Sequence, residues 1–352
     1  MSKSDPLHIV NCHIHTFTTD HTPWFFPHPL IFALRRLPFL IDLLTWAVRS
    51  EWLERMKAFH RTGSRDSQRA VLREILHYYP RSTRFVVLPM DMALIGHGPV
   101  SKDITEQHDE LAALAGDADY GAQVIPFGTI YPDRDGGVEE FKRVVEEHGF
   151  RGLKLYTKLG YAPDHPVLMN EIYPFCVKHN LPVMAHCSRG GVYHKGWGSI
   201  RQDRVTAPIA WEPVLKAFPE LRVCLAHFGG AEDWLAHLRD GFDPDRPAAR
   251  DDNWVHQISQ MITSGDYPNL WTDISYTIFT YQDTIPLLKL FLQDPDMRRR
   301  VLFGSDFYMT RQEALSEKAM SIRLRETLGE DAFRQIAETN PQVWLGETPE
   351  GS

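Results

Sequence analysis

Asn11-Cys12-His13-Ile14-His15 closes the first apolar run of the chain. Side chains two apart on a strand point the same way, so His13 and His15 can reach one ion together. Three later apolar runs also end in a group able to ligate a cation: His186, His227 and Asp306. Imidazole and carboxylate are common zinc ligands. A chain that delivers such groups at the ends of several strands reads as a metal site at the mouth of a barrel.

Outward from this stretch, short apolar runs alternate with longer helical patterns, the order of parallel βα units. Strands are expected at Leu7–His13, Arg84–Pro89, Val124–Ile130, Gly152–Tyr156, Pro182–His186, Arg222–His227, Leu270–Ile274 and Val301–Ser305. Helices are expected around Val138–His148 and Val167–His179. Eight strands separated mostly by helices predict an α/β fold, a distorted (β/α)8 TIM barrel. A doubly wound open sheet is the rival, but no Gly-rich phosphate loop follows the first strand. The candidate ligands come from strands one, five, six and eight, and these ends converge when strand eight returns beside strand one. A barrel also places its chemistry at the C-terminal ends of its strands, where all the candidates fall.

The 352 residues read as a single barrel domain with a helical insertion after the first strand, residues 17–83. That insertion holds Trp24, Phe25, Phe26, Trp46 and Trp52, with a basic, helix-like part from Glu51 to Tyr79. A lid, a substrate-recognition cap, a contact in a homodimer or a plain helical decoration would each suit it. A second insertion, Asp240 to Asp252, is charged and contains proline, and reads as a solvated loop.

Net charge is −8 with no long basic run, which argues against nucleic acid as a partner. The most apolar stretch, Leu30 to Val48, is interrupted by Arg35, Arg36, Pro38 and Asp42. A membrane span needs about 20 uninterrupted apolar residues, so no membrane partner is expected. No secretory signal is visible in the opening residues, and the cysteine usage is not that of a disulfide scaffold. A cytoplasmic location is therefore expected. Cys12 precedes His13, Cys187 follows His186, and Cys224 lies three before His227. Strict strand alternation turns these three thiols outward toward the covering helices, away from any metal.

These residues resemble the amidohydrolase superfamily, and more narrowly its branch containing aminocarboxymuconate-semialdehyde decarboxylase. The resemblance rests on His13-Ile14-His15, Gly152-Leu153-Lys154-Leu155, Met184-Ala185-His186, Leu225-Ala226-His227-Phe228-Gly229-Gly230 and Phe303-Gly304-Ser305-Asp306. The ending Asn340-Pro341-Gln342-Val343-Trp344-Leu345-Gly346 is similar to that branch's last helix. The resemblance implies that His13, His15, His186 and Asp306 hold a metal ion, with Asp306 also taking a proton from the attacking water. It implies that His227 polarises substrate or moves protons in a one-metal site, or ligates the second ion in a two-metal site. In dihydroorotase-like relatives a lysine matching Lys154 is carboxylated and bridges two metals, whereas the decarboxylase-like branch often carries the lysine without a bridge. One Zn2+ is favoured, and Mn2+, Co2+ or Fe2+ suit similar ligands.

Arg189, directly after His186, could clamp a substrate carboxylate bidentately or serve a loop salt bridge. Tyr156, His194, Tyr276 and Tyr308 are further substrate-contact candidates. The expected activity is a metal-dependent hydrolase that uses a zinc-activated water to cleave an amide, cyclic amide or ester/lactone bond of a small molecule. The alternative is a zinc-dependent non-oxidative decarboxylase of an unsaturated or aromatic carboxylic acid. A binding protein on a dead enzyme fold is the third reading, and the intact ligand set counts against it.

Overall fold

A computed structural model describes residues 7–26, 36–37, 39–48, 50–240, 251–277, 285–312 and 316–348. Most of the expected solvated loop, residues 241–250, lies outside the described residues, as do residues 27–35 of the insertion. The described fold is built on eight parallel strands: β1 (Val10–Ile14), β2 (Arg84–Val87), β3 in two pieces (Val124–Pro126 and Gly128–Thr129), β4 (Leu153–Leu155), β5 (Val183–Ala185), β6 (Val223–Leu225), β7 (Leu270–Asp273) and β8 (Val301–Leu302). Neighbours in this order pair in parallel, as in Lys154 opposite Met184 and Cys224 opposite Trp271.

Two sets of hydrogen bonds join these strands into a ring. At the break in β3, the Phe127 N–H bonds Val87 O (3.1 Å) and the Gly128 N–H bonds Gly152 O (2.9 Å), so the strand passes from β2 to β4. Gly152 is required there, because a Cβ would lie 2.3 Å from the Phe127 ring. At the other seam, the Cys12 N–H bonds Phe303 O (2.9 Å) and the Asp306 N–H bonds His13 O (2.8 Å). Ile14 and Phe307 form a parallel bridge just beyond. The barrel expected from the sequence is therefore found, with strands shorter than the apolar runs because each run's end turns into a loop.

Alternate residues of the strands serve two cores. Leu153, Leu155, Val183, Ala185, Val223 and Leu225 face the helices. Val10, Val86, Ile125, Met184, Trp271 and Leu302 fill the barrel, closed below by Trp344, whose ring meets Phe127 at 5.6 Å. The covering helices carry ordinary signals. Ile104–Ala115 starts at a capping box, in which Asp103 accepts from the Glu106 N–H while Glu106 accepts from the Asp103 N–H. The helix expected at Val167–His179 appears as a π-helical turn, Leu168–Ile172, running into Tyr173–Lys178.

The cysteine expectation needs correcting. Cys187 does face the helices, but Cys12 and Cys224 belong to the barrel interior. In β1 the register shifts between Asn11 and Ile14, so the strand gains a residue relative to β2 and alternation is lost. In β6 the ladder stops at Leu225 and the chain reaches His227 through a turn, at φ 68°. All four thiols are nonetheless buried and unpaired by disulfides.

Within the insertion, helices span Phe39–Val48, Glu51–Gly63 and Gln68–Leu76. Phe59 of the second packs on Tyr308, ring centroids 5.3 Å apart, just past the end of β8. Among the described residues no helix is long and apolar enough to cross a membrane.

Candidate metal centre

The bulge in β1 aims His13 and His15 at the C-terminal mouth. Asn11 supports it from behind, accepting from the His13 N–H (3.3 Å) and the Ser305 N–H (3.1 Å). Its amide nitrogen donates to Ser305 Oγ at 2.9 Å. Gly304 allows β8 to come this close, since a Cβ there would lie 2.8 Å from His13 Cβ. Asp306 follows at φ 63°, a left-handed backbone uncommon for a residue other than glycine.

Each histidine of the pair has one nitrogen tied down by an acceptor. His13 Nδ1 lies 2.8 Å from Asp273 Oδ2, and His15 Nδ1 lies 2.8 Å from Leu88 O. Neither a carboxylate nor a carbonyl can donate, so both Nδ1 atoms carry hydrogen and both Nε2 atoms carry lone pairs. The Nε2 atoms face Asp306 Oδ1, at 3.8 Å from His13 and 3.2 Å from His15. His13 Nε2 and Asp306 Oδ1 are buried without a hydrogen-bond partner. His13, His15 and Asp306 can thus hold a metal ion, their ligand atoms within 4.8 Å of one another.

Electrostatics favour the protonation states a metal needs. Burial, reinforced by Lys154, pulls His13 down to about 3, so its ring is neutral.

Asp273, at the end of β7, was not among the residues singled out from the sequence. It is fully buried. Its Oδ2 receives His13, and its Oδ1 receives the His227 N–H (2.8 Å), the Ser275 N–H (3.0 Å) and the Ser275 hydroxyl (2.5 Å). The signal was present, since Leu270-Trp271-Thr272-Asp273 is another apolar run ending in an acid. His13, His227 and Asp273 form a second close group. Its centre is taken by Ser275 Oγ, 3.1 Å from His13 Nδ1 and 2.9 Å from His227 Nδ1.

His186 stands outside both groups. Its Nδ1 lies 3.0 Å from His227 Nε2, which brings strands five and six together beside the first group. Its ring stacks on Tyr156, centroids 3.9 Å apart. Burial pulls both His186 and His227 below the ordinary imidazole value. Lys154 points into the barrel as expected, fully buried, and its Nζ has no hydrogen-bond partner. Burial pulls its amine down to about 8, against the attraction of Asp306 and Asp273.

Of the expected substrate contacts, Arg189 is withdrawn. Its Nε donates to Asp233 Oδ2 (2.8 Å), Nη1 to Asp203 (3.3 Å) and Nη2 to Asp252 O (3.0 Å), while the guanidinium lies 4.5 Å from the Trp254 ring centroid. This is the loop salt bridge. Tyr156 accepts the Val192 N–H at 2.9 Å, which ties down the loop after His186. His194 accepts the Gly196 N–H at 3.0 Å and packs near Trp197, within the same loop. Tyr308 is buried between Phe17 and Phe59. Tyr276 stands at φ 59° on the β7 loop.

Comparison with known proteins agrees with this architecture. The amidohydrolase family model matches residues 10–346. Among solved structures, a probable 2-pyrone-4,6-dicarboxylic acid hydrolase from Acinetobacter baumannii superposes with a TM-score of 0.58 at 13% identity, covering 97% of this chain and 100% of the other. A manganese-bound 5-carboxyvanillate decarboxylase from Novosphingobium aromaticivorans gives 0.54 at 15% identity, covering 97% of each chain. The apo IDCase of Metarhizium anisopliae gives 0.56 at 16% identity, covering 98% of each. With the family model spanning nearly the whole barrel and its mouth, the chain belongs to the amidohydrolase family and is an enzyme of that superfamily.

Proposed function

We propose that the chain is a metal-dependent hydrolase acting on an amide, cyclic amide or ester/lactone bond of a small molecule. One observation carries this reading: His13 Nε2, His15 Nε2 and Asp306 Oδ1 face one another as three buried acceptors with no donor among them. A cation between them relieves that arrangement, and its nitrogen and oxygen donors suit zinc. His13, His15 and Asp306 would hold the ion; His186, the further ligand expected from the family resemblance, would have to leave His227 Nε2 (3.0 Å) or Gly190 O (3.2 Å) to join it. A bound zinc would supply Lewis acidity and bring water into the range where it ionises near pH ~7.

The chain's own residues do the rest. Asp306, ionised at neutral pH, accepts the proton released by the attacking water. His227 donates its Nδ1 hydrogen to Ser275 and its Nε2 meets His186 Nδ1 at 3.0 Å, so the His186–His227 pair would receive a proton or deliver one to the leaving group. One ion is favoured, because His13, His15 and Asp306 form one close group, whereas the centre of the other, His13, His227 and Asp273, is taken by Ser275 Oγ.

Decarboxylation of an unsaturated or aromatic acid is the second reading, since fold neighbours include decarboxylases. The commitment of Arg189 to Asp233 and Asp203 removes the expected carboxylate clamp and favours hydrolysis. Zinc-loaded protein offered lactones, cyclic amides and aromatic carboxylates should release acid from the first two without carbon dioxide. Carbon dioxide release from the third alone would replace hydrolysis by decarboxylation.

A further inference from the structure

We infer that Asp273 is a positioning residue that fixes the proton positions of two imidazoles at once, His13 directly and His227 through Ser275. The two oxygens of the carboxylate divide the work. Oδ2 takes only the His13 Nδ1 hydrogen, at 2.8 Å. Oδ1 takes the His227 and Ser275 N–H groups and the Ser275 hydroxyl.

The Ser275 hydroxyl has one hydrogen and spends it on Asp273, at 2.5 Å. Its oxygen is left as an acceptor 2.9 Å from His227 Nδ1, and the Ser275 carbonyl stands 3.2 Å from the same nitrogen. Two acceptors at one ring nitrogen require a hydrogen on it. His227 therefore carries its hydrogen on Nδ1, and its Nε2 accepts from His186 Nδ1 at 3.0 Å. His13 likewise carries its hydrogen on Nδ1, so that its Nε2 faces Asp306. A buried carboxylate on the far nitrogen of a metal-binding histidine orients the ring and selects its tautomer. Here one carboxylate sets a ligand and a proton carrier together, which couples metal binding to the state of the proton relay.

The isosteric variant Asp273→Asn separates this role from simple packing. The Oδ1 position receives three hydrogens, so the asparagine oxygen belongs there. Its amide NH2 then faces His13 Nδ1, which must become an acceptor, and the His13 hydrogen moves to Nε2. Such an exchange keeps the geometry and selects the wrong tautomer.

The inference rests on His13 being a metal ligand, but its test begins without metal. Nitrogen-15 NMR of histidine-labelled, metal-free protein should show hydrogen on Nδ1 of both His13 and His227. In Asp273→Asn, His13 should switch to Nε2 while His227 stays. Zinc affinity, read by competition with a chromophoric chelator, should fall about 10–100-fold. Ser275→Ala should leave hydrogen on His13 Nδ1 and cost less zinc affinity than Asp273→Asn does, since the Asp273–His13 bond remains. Hydrogen on His13 Nε2 in the parent, or an unchanged His13 in Asp273→Asn, would overturn the inference. Equal zinc loss in both variants would also overturn it, by showing a general packing effect. The expected tautomers with no zinc binding in the parent would instead refute the metal-enzyme reading and leave the proton assignment standing.

Discussion

Asp306 Oδ1 stands 3.2 Å from His15 Nε2, and the two atoms face each other without a hydrogen bond. The Leu88 carbonyl causes this, because it claims the His15 hydrogen at Nδ1. An acid and a base that would ordinarily share a proton are thereby kept as two acceptors, which is the arrangement a cation requires. Burying such polar groups without a partner is costly, so the site is organised for an ion rather than for the stability of the bare fold.

Asp306→Asn tests the proton-accepting role. An amide oxygen is no base near neutral pH, so with zinc in excess kcat should fall by about 10²–10⁴-fold, the usual contribution of a general base. Steady-state kinetics would show it. A change confined to KM would mean that Asp306 only binds.

Arg189→Ala should lower stability rather than substrate affinity. Its partner Asp233 is buried, and removing one member of such a pair leaves a stranded charge worth about 3 kcal/mol. Urea denaturation should register that loss while KM stays close to the parent's. A raised KM with unchanged stability would restore the substrate-clamp role.

Glu317 predicts a pH-dependent stability. It is buried and accepts from the Tyr79 hydroxyl (2.5 Å) and the Thr310 hydroxyl (3.0 Å), behind β1 and β8. Burial pushes its carboxyl up to about 7. Between about pH 4.3 and that value the folded chain keeps a proton that the unfolded chain has lost, so this group's contribution to stability falls as pH rises and is level above it. Glu317→Gln removes this titration. Relative to the parent, the variant should gain up to about 3 kcal/mol in urea denaturation between about pH 5 and pH 8. Parallel stability profiles for the two proteins would contradict the assignment.

Much of this was legible in the sequence, for a physical reason. A buried histidine or aspartate at the end of an apolar run is expensive unless it has work to do, so His13, His15, His186, His227 and Asp306 stand out against their neighbours. The runs also give the strand order, since helix-length spacers force parallel crossovers. What alternation could not supply was register. Nothing in Asn11-Cys12-His13-Ile14 announces a bulge, so Cys12 was assigned to the wrong face. Cys224 failed likewise, because β6 gives way to a left-handed turn before His227. The partner of Arg189 is 44 residues away in sequence, at Asp233, a distance over which no local pattern operates. Asp273 was missed although its run resembles the others, because a carboxylate that serves a histidine belongs to no motif of its own.

The most direct test of the account is metal stoichiometry. Purified chain equilibrated with zinc and then dialysed should retain about one ion per chain in elemental analysis, and His13→Ala, His15→Ala and Asp306→Ala should each lose it together with activity. A parent protein that holds no divalent ion while remaining folded, or that is fully active without one, would contradict the central claim.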